Sequence, residues 1–160
     1  MIQDGTVVFT SVEGIIRQMP IPFFVYVLRT YWRNTIILAH NILIFPAVCL
    51  VVGKPLSLTS LLALPGFLIV SINLLWIAFV IGIFCTRFRD CVQIVNSLLQ
   101  IVFYVAPIIW MPSALPARGA SMILDPNPVY HMLCLIRDPI LGIAPTMANC
   151  FVPVLMAVFG

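Results

Sequence analysis

Apolar runs separated by charged or proline-rich breaks organise this chain. From Asn34 to Gly53 the stretch "NTIILAHNILIFPAVCLVVG" holds no Asp, Glu, Lys or Arg, and about 20 such residues in helical form cross a hydrocarbon core. The uncharged run from Pro55 to Thr86 leaves room for a surface segment, "PLSLTSLL", followed by a second span that begins near Pro65. Cys91 to Pro112 reads as a third. The pattern therefore predicts spans over 34–53, 65–86 and 91–112. Over 113–145 repeated prolines cut the chain into apolar pieces such as "VYHMLCLI", about 8 to 11 residues long and too short to span, which predicts re-entrant or interfacial helices. The run 146–160 starts like a further span and stops short of full length. Residues 1–34 are mixed in character. In "SVEGIIRQMPIP" the apolar Val12, Ile15, Ile16 and Met19 share one helical face, predicting an amphipathic surface helix that Pro20 and Pro22 stop. The expected fold class is all-α: a polytopic membrane helix bundle in one partial transmembrane domain over 1–160, with an N-terminal amphipathic helix and a re-entrant helical region.

Composition supports that reading. Hydrophobic residues make up 62% of the chain and charged residues 8%, with a mean hydropathy of +1.16, whereas soluble domains carry roughly a quarter charged residues. The net charge of +3 comes from scattered basic residues, so no basic tract supports nucleic-acid binding. Those residues report topology instead. If the spans alternate, Arg17, Arg29, Arg33, Arg87 and Arg89 fall on one side and Lys54, Arg118 and Arg137 on the other, which makes the first set cytoplasmic. Cys49, Cys85, Cys91, Cys134 and Cys150 form no CxxC pair and lack a His at metal-ligand spacing; they read as small core hydrophobes, and no metal site is expected. GxSxG, GxxxxGK[ST] and HExxH are absent from the sequence, so no catalytic residues are assigned.

Polar residues inside the spans carry the candidate chemistry. Gln93, Asn96, Ser97, Gln100, Tyr104 and Pro107 fall within an arc of about 100° on the third span. Lipid would leave such groups unsatisfied, so the stripe faces protein or water. Two readings follow. One is interhelical hydrogen bonding, at about 0.6 to 2 kcal/mol per contact; the other is the wall of a hydrated conduit, with Gln93, Asn96, Gln100 and Tyr104 as pore-lining candidates. Arg29, Arg33 and His40 share a face of the first span, where the arginines can snorkel to headgroups. No Asp or Glu lies within a predicted span, which speaks against proton-coupled transport. In "CTRFRDC" (85–91), Arg87 and Arg89 fix orientation and Asp90 stands where a carboxylate caps the next helix.

Three stretches, "EGIIRQMPIPFFVYVLRTYWRNTIILAHN" (13–41), "RFRDCVQIVNSLLQIVFYVAPIIW" (87–110) and "LDPNPVYHMLCLIRDPILGIAP" (124–145), resemble in this order and spacing the permease subunit of the ABC-2-type bacterial exporters of polysaccharides and polyol phosphates, which serve O-antigen and capsule export. The resemblance implies a six-span protein of which this chain is the later part, without the first two spans and the end of the last. It implies that the helix carrying Glu13, Ile16 and Arg17 is a cytoplasmic coupling helix docked on the ATPase. The 93–104 face would then belong to the span nearest the channel, and 113–145 to a re-entrant pair on the periplasmic side. It further implies a bacterial inner-membrane location and a homodimer with a second permease copy. An ABC ATPase partner would hold ATP and Mg, so this chain binds no cofactor; membrane lipids would surround it, and a lipid-linked polysaccharide would be the cargo. Two other readings remain open. One is the permease of an ABC drug or small-lipid exporter. The other is a membrane enzyme acting on lipid-linked sugars, against which Asp90, Asp125 and Asp138 fall on different sides of the predicted membrane.

Overall fold

A computed structural model describes residues 1–18, 21–52, 58–107 and 124–160, and all the regular secondary structure of those residues is helical. Helix α1 (Ile2–Thr6) leads through a 3-10 turn at Thr10–Val12 into α2 (Glu13–Gln18). Then come α3 (Phe23–Ile42), α4 (Ile44–Val52), a 3-10 turn at Leu58–Leu62 and the long α5 (Ala63–Arg87). Helices α6 (Cys91–Val105), α7 (Pro128–Ile140) and α8 (Met147–Phe159) complete the order.

Local chemistry sets the ends. Pro22, in an extended conformation, precedes α3, and a proline there cannot continue a helix backwards. At α7 the Asn127 side chain accepts from the Val129 N–H at 3.0 Å, and Pro128 occupies the first helical position, where its missing N–H costs nothing. The same helix closes on Gly142, whose φ of 84° only glycine adopts readily. Gly142 N–H donates to the Pro139 carbonyl at 3.0 Å and Ile143 N–H to the Asp138 carbonyl at 2.9 Å, the paired bonds of a Schellman stop.

Among the described helices, the segment Thr59–Arg87 is long and apolar enough to cross a membrane, while Cys91–Val105 and Met147–Phe159 are apolar but shorter. Helix α5 covers the span expected over 65–86. For the other two expected spans the helical segments are arranged differently. Helix α3 starts at Phe23, not near Asn34, so Arg29 and Arg33 lie inside it, and it breaks at Leu43 before the nine-residue α4. Helix α6 ends at Val105, ahead of Pro107, and residues 108–123 of the third span and the re-entrant region lie outside the described residues.

Where the sequence suggests a single domain over 1–160, the contacts of the chain form two compact units: Met1–Leu56 with Leu74–Val95, and Ser57–Asn73 with Asn96–Gly160. The core of the first is Val8, Phe9, Tyr26, Val27 and Ala78, with Val12, Ile16 and Phe79 packed against it. Ile15, expected on the same apolar face of α2, points outward and is 45% exposed. In the second unit α5 and α7 approach so closely that a Cβ on Gly66 would lie 2.7 Å from the Leu135 carbonyl oxygen.

Buried polar side chains tie the second unit together. Asn73 is fully buried, and its amide donates to the Ile69 carbonyl of its own helix and to the Pro153 carbonyl of α8, both at 2.9 Å. His131 links α7 to α8 through Nδ1 and the Asn149 amide oxygen, and its Nε2 meets the Asp125 carbonyl, both at 2.8 Å. A buried group with its partners removed costs about 1 to 3 kcal/mol. Replacing Asn73 by Leu is therefore expected to lower stability by roughly that amount, read as a reduced thermal midpoint of the purified protein in detergent; an unchanged midpoint would show that the α5–α8 bond contributes nothing.

Candidate functional site: a cleft beside the α5–α6 turn

Close packing in the first unit builds the site. Gly5 rests on Ala78, where an added Cβ would come within 2.9 Å of the Ala78 Cβ. One turn later Val8 and Phe9 cover Gly82, and a Cβ there would meet both side chains at 2.9 Å. The Phe9 ring then stands edge-on to Phe23 and Phe79, with centroids at 5.7 and 6.3 Å, an arrangement the ring quadrupole favours. Held this way, Phe9 delivers the next residues, and with them α2, beside the C-terminal end of α5.

Between α2 and that end lies a cavity of about 650 Å³. Its floor is apolar, formed by Phe9, Ile16, Phe23, Phe79 and Ile83; Thr10, Glu13, Thr86, Arg87 and Arg89 form its rim. Thr10 and Thr86 donate their hydroxyl hydrogens to the Val7 and Gly82 carbonyls, at 3.2 and 2.7 Å. The rim's polar character thus comes from one carboxylate and two guanidiniums. Arg87 also lies over the Phe88 ring, 5.9 Å from its centroid, which holds its charge near the apolar surface. An apolar floor under a charged rim suits the docking of a protein segment, with side chains filling the floor and charges setting the register.

The residues singled out from the sequence can now be placed. Glu13 and Ile16 line the cleft; Arg17 is on α2, but its side chain lies outside the described residues. Arg87 and Arg89 line the same cleft from the opposite wall, a convergence of two distant sequence features. Asp90 immediately precedes α6, and its backbone carbonyl accepts from the N–H groups of Gln93 and Ile94 at 3.2 and 3.3 Å. The polar stripe runs along α6, a helix with no buried residue. Gln93, Gln100 and Tyr104 are exposed, and Asn96 is half-buried with an amide oxygen that has no hydrogen-bond partner. The Tyr104 ring packs edge-on against Phe103 at 5.8 Å.

One cluster carried no local signal. Asn34 donates to Asp4 Oδ2 at 2.7 Å across 30 positions of sequence, and Arg33 approaches the same oxygen at 3.2 Å. Arg33, read from the sequence as snorkelling to headgroups, also has an acidic partner within the chain. The Asn34 hydrogen bond, aided by Arg33, holds the Asp4 carboxyl below its ordinary value of 3.8. Comparison with protein-family models, with curated proteins and with solved structures finds no match.

A depressed carboxyl contributes stability that is present above its unfolded value and is lost as pH falls through the folded one. Wild type is therefore expected to exceed an Asp4→Asn variant in thermal midpoint at neutral pH, by a small margin because the carboxylate is 37% exposed. The two should converge as pH drops below 3.8; a constant gap down to the most acidic pH tolerated would contradict the assignment.

Proposed function

We propose that the chain is the permease subunit of an ATP-driven ABC exporter that moves a polysaccharide, such as a lipid-linked O-antigen or capsule glycan, across the bacterial inner membrane. In this reading the chain is multi-pass, dimerises with a second permease copy and takes its energy from an ABC ATPase that binds ATP and Mg. The observation that carries the reading is the cleft. Glu13 and Ile16, which the resemblance assigns to the coupling helix, share one cavity with Arg87 and Arg89 at the terminus of the helix long enough to cross a membrane. A coupling site needs that combination: exposure to a partner at the cytoplasmic surface, and rigid attachment to a spanning helix, so that movement of the partner reaches the membrane.

Surface character supports the same reading. Trp32, Phe84 and Phe151 are each more than half exposed, a costly arrangement in water that lipid or a second copy would relieve. The stripe of Gln93, Asn96, Gln100 and Tyr104 on the otherwise apolar α6 serves as the conduit wall, offering amides and a ring face to passing sugars.

Two experiments test the reading. In the intact exporter, Glu13→Lys combined with Arg87→Glu is expected to reduce co-purification of the ATPase and the amount of surface glycan, each by roughly tenfold; wild-type levels of both would remove the coupling role. Gln100→Leu with Tyr104→Leu should cut glycan export while leaving assembly with the ATPase intact, and undiminished export would assign the stripe to packing.

A further inference from the structure

A second, smaller cavity of about 180 Å³ opens on the first unit, lined by Ser11, Val12, Tyr26, Arg29, Thr30 and Arg33. Its hydrogen-bond inventory is one-sided. Ser11 and Thr30 donate their hydroxyl hydrogens to the carbonyls of Val8 and Tyr26, at 3.3 and 3.2 Å. The Tyr26 side chain is almost wholly buried, with 6% of the residue exposed, and its hydroxyl has no hydrogen-bond partner. Arginine side chains only donate. Among the described residues the lining offers the cavity no acidic side chain, and two guanidiniums call for an anionic acceptor.

Charge decides which anion. Asp4 already balances Arg33 at 3.2 Å, so of the two guanidiniums the charge of Arg29 is left to be matched. A phosphodiester carries a single negative charge, whereas inorganic phosphate near neutral pH carries roughly one and a half to two, as do phosphate monoesters. Position decides its source. The cavity borders the 3-10 turn that follows Phe9, and Phe9 packs on Gly82, about 7 Å along α5 from Arg87 at 1.5 Å per residue. If α5 crosses the bilayer, that level is where headgroups meet the hydrocarbon.

We infer that this notch binds the phosphodiester of an anionic phospholipid headgroup, with Arg29 as the charge partner. The inference rests on the membrane reading above, but lipid retention does not depend on export, so the two can fail separately. Arg33, with its remaining N–H groups, would share the lipid oxygens while keeping its bond to Asp4. The bound lipid would thereby stabilise the joint between α3 and the segment leading into α2, the element proposed to receive the ATPase.

Native mass spectrometry of the intact protein in detergent tests the site, with phosphatidylglycerol, diacylglycerol and inorganic phosphate as probes. Phosphatidylglycerol adducts are expected, and diacylglycerol, which lacks the phosphate, should give none. Arg29→Gln should lower phosphatidylglycerol occupancy on the order of tenfold. Equal occupancy in wild type and Arg29→Gln would overturn the site. Displacement of the lipid by sub-millimolar inorganic phosphate would overturn the lipid as its occupant and assign the notch to a free anion.

Discussion

Two missing side chains govern the first unit. Because Gly5 and Gly82 have no Cβ, the N-terminal segment lies directly against α5, with Ala78 and the pair Val8 and Phe9 filling the seam. Small residues are what allow helix backbones to approach closely. Everything of functional interest in this unit depends on that seam. It orients Phe9 between Phe23 and Phe79, sets α2 beside the end of α5, and brings Asp4 within reach of Arg33 and Asn34.

The second unit solves a different problem. Its helices carry buried polar groups at Asn73, His131 and Asn149, each engaged in hydrogen bonds within the unit. In an apolar chain such bonds specify partners, since a leucine surface packs against many neighbours but an amide satisfies only those with the right carbonyl. Helix α7 adds local punctuation at both ends, an Asn cap with Pro at the start and a Gly-based stop at the end. These residues sit in a stretch dense in prolines, and the caps explain how a short helix persists there.

How far the sequence could be read depended on whether each interaction was local. The all-helical class, the long α5 and the charged turn after it followed from apolar runs and composition, because charge and hydropathy act on neighbouring positions. The α7 cap, Asn127 followed by Pro128, is equally local, but the sequence reading did not single it out. Charge alone does not show where α3 begins, since Asp4, far away in sequence, balances Arg33 within the folded chain and the helix runs back to Phe23. The notch around Tyr26 gave no signal, since it joins the 3-10 turn to α3 across an unremarkable sequence separation. Glu13 and Arg87 were each picked out alone; their meeting around one cavity depends on Gly82, a residue that sequence reasoning passed over.

The central claim is that the glycine seam creates the cleft on which a partner docks. Its most direct test is the affinity of the proposed ATPase partner for the Gly82→Leu protein in nanodiscs, alongside a check that the variant inserts and remains folded. A leucine at that position must displace Phe9 and Val8, so the account predicts an inserted, folded protein that binds the ATPase at least several-fold more weakly than wild type, in line with a misplaced anchor at an interface. Wild-type affinity in a properly inserted Gly82→Leu protein would contradict it.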